Sequence, residues 1–172
     1  MSKQSPDHEK FADLVSANKE YAQQFKYSEL TGSAARGLAI VTCMDSRINP
    51  LSVVGMRSGD AKILRNAGAR VTEDVLRTLV LATYLLNVDR ILVMPHTDCR
   101  MAQSDESAIH DLIEKQFGVD TRSLEFRVTK DQEAALKTDI TRIRAYPLLR
   151  EGVSVIGAIY DVKSGAIDFK DF

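Results

Sequence analysis

Leu38-Ala39-Ile40-Val41-Thr42-Cys43-Met44-Asp45-Ser46-Arg47 and Ile91-Leu92-Val93-Met94-Pro95-His96-Thr97-Asp98-Cys99 are the stretches that decide the fold. Each opens with a short apolar run rich in Val and Ile, the pattern of a buried strand. The first run ends in a cysteine and the second in His-x-x-Cys. In an open α/β sheet, ligands are held beyond the carboxyl ends of the strands, so both segments place soft donor atoms at one working edge. The chain has only two cysteines, Cys43 and Cys99, and three histidines; both thiols and one imidazole fall in these two stretches.

Working outward, strands are expected at 38–42, 62–65, 90–94 and 153–160, with a short edge strand at 166–169 after the Lys163-Ser164-Gly165 turn. An extended piece is expected at 124–128. A short helix is expected at 49–54, and Thr72 caps a helix over 73–86 whose apolar face is Val75, Leu76, Leu79, Val80, Ala82 and Leu86. Ser104 caps a helix over 105–117 that Gly118 ends, and Asp131 caps one that stops at Arg144, before Pro147. Helices alternate with continuously apolar strands, which predicts an α/β fold. Its central, mainly parallel sheet has four strands plus a short antiparallel edge strand, flanked by helices.

Ahead of the sheet, Phe11, Leu14, Val15, Ala17, Tyr21, Ala22 and Phe25 have the spacing of an amphipathic helix over 10–25. Such a helix either packs on its own domain or lies as an arm on a second subunit. The Gly/Ser-containing segment 31–37 reads as a linker, which gives the arm reading a physical basis beside the first. Residues 1–10, with His8, read as a frayed start. The expected organisation is one domain over 1–172, with an N-terminal helical arm (1–30) and an α/β core (38–172).

The chain is 172 residues long, 44% hydrophobic and 27% charged, with a net charge of −1. That balance suits a single globular domain and offers no general field for nucleic acid or an anionic membrane. No apolar run approaches the roughly 18 residues of a membrane span. The polar start has no signal-peptide core, so the expected location is cytoplasmic. A reducing compartment argues against a Cys43–Cys99 disulfide.

Zinc takes thiolate and imidazole ligands, and catalytic zinc sites keep three protein donors and one position for water. Cys43, His96 and Cys99 supply three, with no further cysteine to close the site. Asp45 and Arg47, two residues apart, can form a bidentate pair. Asp45 then either accepts a proton from zinc-bound water or swings onto the metal and fills the open position. Asp98 reads as a loop or capping residue, and His110 as a surface or rim residue. Arg65 and Arg70 read as hydrogen-bonding residues that stabilise the fold.

Cys-x-Asp-x-Arg at 43–47, Gly59-Asp60-Ala61, Arg65-Asn66-Ala67-Gly68 and His-x-x-Cys at 96–99 together resemble the β-class carbonic anhydrases, and Tyr160-Asp161-Val162 is also similar. The compact branch fits best; it also includes carbonyl sulfide and carbon disulfide hydrolases. The resemblance implies one Zn2+ per subunit on Cys43, His96 and Cys99, with Asp45 and Arg47 as the catalytic dyad and the Gly68 amide lining the substrate pocket. It implies reversible hydration of CO2 to bicarbonate by a zinc-bound hydroxide, and a homodimer or dimer of dimers with the leading helix reaching across. COS or CS2 hydrolysis on the same site is the alternative. From another class, a non-catalytic zinc or thiol-redox module predicts no turnover. Two positions depart from the family pattern: no glutamine lies about nine residues before Cys43, and Arg100 replaces the glycine that commonly follows the second cysteine.

Overall fold

Five strands form one sheet in the order β2-β1-β3-β4-β5: β1 Leu38–Cys43, β2 Ala61–Asn66, β3 Arg90–Met94, β4 Ser154–Tyr160 and β5 Ile167–Lys170. All neighbours are parallel except β4 and β5, as expected. The structure, a computed structural model, describes residues 9–103 and 105–172. Residues 1–8 of the start, with His8, lie outside the described residues, as does Ser104. The chain divides into two units, Met1–Thr31 and Gly32–Phe172.

In the second unit, every residue of β1 is buried. Alternate side chains serve opposite faces, as the pleat requires. Ala39 and Val41 of β1, with Ile91 and Val93 of β3, pack against α3 (Glu73–Leu85) and α6 (Gln132–Arg144). Leu38, Ile40, Leu92 and Met94 form the core of the other face, with Ile48 and Val53 beside them. Thr72 and Asp131 cap α3 and α6 through the amides of Val75 and Ala134, as their sequence positions predict. Gly157 lets α6 lie close to β4: a Cβ there would stand 2.4 Å from Ile140 Cδ1.

The short helix α2 (Pro50–Val53) is capped by Asn49 and carries proline in its first turn, where a missing N–H costs nothing. Three local readings change. The segment 31–37 is no loose linker in its second half: Ala34, Ala35 and Arg36 donate backbone hydrogen bonds to Leu86, Gly59 and Asp60, and Ala34 is wholly buried. The piece at 124–128 joins no strand. Its Phe126 and Val128 amides donate instead to the Glu106 carboxylate, and Arg127 adopts φ +60°. A one-turn helix, α4 (Arg100–Gln103), precedes α5 (Glu106–Phe117) and was not expected.

In the first unit, α1 spans Ala12–Gln23 and none of its residues is buried. Phe11, Leu14, Val15, Tyr21 and Phe25 are all exposed.

Candidate metal centre

The chain leaves β1 for β2 on one side and later returns to β3 on the other. A crevice opens at such a switch point, beyond the carboxyl ends of the two central strands. Cys43 is the last residue of β1, and His96 and Cys99 follow β3 directly. Among the described residues, the ligand atoms of Cys43, His96 and Cys99 lie within 4.8 Å of one another, and all three residues are buried.

His96 is fixed from several sides. It bridges Tyr160 at the end of β4, its carbonyl accepts from Gln132 Nε2 of α6 at 2.9 Å, and its neighbour Thr97 donates to the Tyr160 carbonyl. Nδ1 lies 2.8 Å from the Thr97 carbonyl oxygen and must donate there, so in the neutral ring Nε2 carries the lone pair. Nε2 is buried without a hydrogen-bond partner. Buried polar atoms are normally satisfied. A buried, unpartnered imidazole nitrogen facing two thiols suits a zinc ion, so the donor set fits the metal in chemistry and arrangement.

The Cys43 thiol is pushed down to about 3, chiefly by the hydrogen bond from Cys99, with His96 and the amides of Gly68 and Asp45 adding to it against burial. The Cys99 thiol is driven up by that same bond and by burial. The two sulfurs thus favour unequal protonation, Cys43 the more acidic, and a metal would displace the thiol protons that remain. Burial opposes charge on His96, yet the neighbouring Cys43 sulfur, the Thr97 carbonyl and Asp45 leave the imidazole raised overall.

Asp45 stands at the open side, with Oδ2 3.7 Å from His96 Nε2. Arg47 grips it through Nε to Oδ1 at 3.0 Å, Nη2 to Oδ2 at 2.7 Å and its own amide to Oδ1 at 2.9 Å. These bonds hold the Asp45 carboxyl well below the usual carboxylate range. Arg65 braces the loop from below, donating to the carbonyls of Cys43, Asp45 and Ile48 at 2.9, 2.5 and 3.2 Å. Gly68 has φ +77°, and a Cβ there would meet Met101 Cβ at 3.2 Å, so any other residue would be strained and tightly packed. Asn66 closes this turn on Arg70 through both its amide atoms.

A profile of the carbonic anhydrase family matches residues 38–167, a span that holds every one of these groups. The chain belongs to the β-carbonic anhydrase family. It is 31% identical over 157 residues to β-carbonic anhydrase 1 of Mycobacterium bovis, covering 91% of this chain and 94% of that one. The crystal structure of a Streptococcus mutans carbonic anhydrase superposes with a TM-score of 0.87 at 33% identity, covering 99% and 100%. A carbon disulfide hydrolase of an Acidianus strain is 29% identical over 153 residues, covering 75% and 74%.

In this β-carbonic anhydrase chain the structure brings close together all six residues singled out from sequence: Cys43, Asp45, Arg47, Gly68, His96 and Cys99. It leaves Arg100 exposed. His110 is not on the rim: it is 7% exposed, bonded to Thr121 Oγ1 at 2.9 Å and packed on Phe126. Asp98, read as a loop residue, does take a loop conformation at φ +56°, but its carboxylate also meets Arg47. Gln132 was missed altogether. A glutamine near the start of a helix carries no mark that its amide will reach a loop 36 residues earlier.

Proposed function

We propose that this chain hydrates CO2 reversibly to bicarbonate, with one zinc ion held by Cys43, His96 and Cys99. The observation that carries the reading is the unpartnered His96 Nε2, facing two thiols and lying 3.7 Å from an ionised Asp45. Zinc, when bound, supplies a Lewis acid that lowers the pKa of water and makes hydroxide available near neutral pH.

The protein's own groups do the rest. Asp45 is ionised and can accept a hydrogen bond, not donate one. It therefore orients the attacking water by taking one of its protons in a hydrogen bond, and aims the oxygen lone pair at the carbon of CO2. Arg47 occupies both Asp45 oxygens, which fixes the carboxylate plane and its charge. The new C–O bond forms as one C=O π pair moves onto oxygen; the products are bicarbonate and a proton that leaves to solvent. The Gly68 amide helps hold the Cys43 thiol low, so Gly68 serves the site by favouring the thiolate as well as by lining it.

The candidate group has three protein donors among the described residues, which favours an open, catalytic position over a closed structural site. The relative named a carbon disulfide hydrolase keeps COS and CS2 as a second reading. Both are linear molecules with an electrophilic carbon. We further read the chain as a cytoplasmic homodimer or dimer of dimers. The exposed apolar residues of α1 support an arm on a second subunit, and among the described residues no helix is long and apolar enough to cross a membrane.

The test is turnover on protein of measured zinc content, following proton release from CO2 and sulfide release from COS. The expected result is fast, chelator-sensitive CO2 hydration. Zinc-loaded protein with no CO2 turnover overturns the reading, and sulfide release alone moves it to the hydrolases.

A further inference from the structure

Arg47 does not serve Asp45 alone. Its Nη1 donates to Asp98 Oδ2 at 2.8 Å, and Nη2 donates to the Asp98 carbonyl at 3.1 Å as well as to Asp45. Asp98 is in turn held by Gln103 Nε2 of α4, which donates to Oδ1 at 2.7 Å. The two aspartates sit on different loops, one after β1 and one after β3, and they are the loops that carry the three metal donors. Asp98 lies between His96 and Cys99, at φ +56°, a left-handed conformation that turns its side chain toward Arg47.

The exposure of these groups gives the arrangement its point. The Arg47 and Asp98 side chains are 45% and 50% exposed, against 19% for Asp45. An exposed arginine held only by a carboxylate two residues away is free to trade that partner for water, because such pairs are weak in solvent. A second anchor from the facing loop makes one guanidinium orientation far more favourable than the rest, since four acceptor contacts must then break together.

We propose that Asp98 is a positioning residue for the reaction: through Arg47 it holds the Asp45 carboxylate in the orientation that meets substrate water and keeps it from turning toward the metal donors. Gln103 braces Asp98 for that task. The proposal rests on the functional reading above and adds to the Asp45–Arg47 dyad a third member with a fourth behind it.

Asp98→Gly is the decisive variant, because glycine accepts φ +56° without strain and removes only the carboxylate. Asp98→Asn is its partner, since asparagine also tolerates that conformation and keeps an acceptor oxygen for Arg47 Nη1. Two readouts are taken. The first is the Arg47 Nε–Hε resonance in metal-free protein, which is sharp and distinct when the guanidinium is fixed. The second is kcat and KM for CO2 per bound zinc.

Asp98→Gly is expected to broaden or lose the Arg47 resonance. It should lower kcat about tenfold with KM and zinc occupancy little changed, a cost typical of a group displaced from its productive geometry. Asp98→Asn should restore the resonance and most of the rate. A sharp Arg47 resonance with wild-type kcat in Asp98→Gly overturns the proposal. So does a loss that tracks zinc occupancy and is no better in Asp98→Asn, which would make Asp98 a plain loop-stabilising residue. Should Asp98→Gly fail to fold, Gln103→Leu takes its place: a smaller loss of rate with a broadened Arg47 resonance supports the role, and no change in either overturns it. If wild-type protein shows no CO2 turnover, the functional reading fails by itself, and the Arg47 resonance still decides whether Asp98 fixes that side chain.

Discussion

Two arginines each grip an aspartate with two nitrogens, and they do different work. Arg70 reaches from the turn after β2 to Asp139 of α6, with contacts of 2.7 and 3.4 Å, and donates a third bond to the Arg127 carbonyl. That pair is enclosed, at 18% and 5% side-chain exposure. Arg47 and Asp45 have the same fork geometry but stand open at the mouth of the metal centre. Burial decides what each pair is for. In the enclosed pair, removing one partner strands a desolvated charge, so the pair fastens α6 to the sheet. In the open pair water replaces a lost partner at little cost, so its geometry is free to serve chemistry.

The comparison breaks or sharpens under mutation, beginning with the largest effect. Asp45→Asn should lower kcat about a hundredfold, in the range lost when the group that aligns the attacking oxygen is displaced, while Tm barely moves. A large fall in Tm with the rate kept would reverse the roles assigned to the two pairs. Asp139→Ala should do the opposite, costing about 3 kcal/mol of stability because it leaves Arg70 charged and underbonded. That corresponds to a Tm lower by about 10 °C. The rate per folded, zinc-loaded molecule should stay near the wild type's, and calorimetry beside a stopped-flow CO2 assay reads both.

The smallest effect comes from a carboxylate with no arginine at all. Asp161 accepts the Lys163 and Ser164 amides, each at 2.8 Å, in the turn before β5, and those bonds hold its carboxyl below the ordinary value of 3.8. A carboxyl lowered by folding adds stability that is present above the unfolded value and lost as pH falls through the folded one. The Tm gap between wild type and Asp161→Ala should therefore be widest near neutrality and narrow on acidification below 3.8. A gap that widens in acid would show that the carboxyl's charge does not contribute.

Much of the fold was legible because burial leaves a period in the sequence. The run 38–42 became a fully buried central strand, lengthened only by Cys43 itself. The apolar face read over 73–86 became α3, capped by Thr72 as its side chain predicts. The second half of segment 31–37 and the piece at 124–128 were misread for one reason: their backbone groups bond to partners far along the chain, at Leu86, Asp60 and Glu106. Composition marks such stretches as loops but cannot say whether they are loose. His110 was placed on a rim because a lone polar residue on a helix usually faces water. Thr121 and Phe126, from the loop that follows, enclose it instead.

At the site, sequence named the three donors and the dyad because motif spacing is local information. It could not show that Asp98 shares Arg47, since that contact spans 51 residues and depends on how two loops face each other.

By itself, the sequence determined that two continuously apolar strands would end in soft donors, since hydrophobic period and residue type are written along the chain. Only the tertiary structure decided that those ends would be neighbours. The order β2-β1-β3 and the pairing of Thr42 with Met94 bring Cys43 level with the start of the His96 loop. A strand's pattern specifies which faces it buries; it does not specify which strand lies beside it or in what register, and the cluster of Cys43, His96 and Cys99 exists because of that choice.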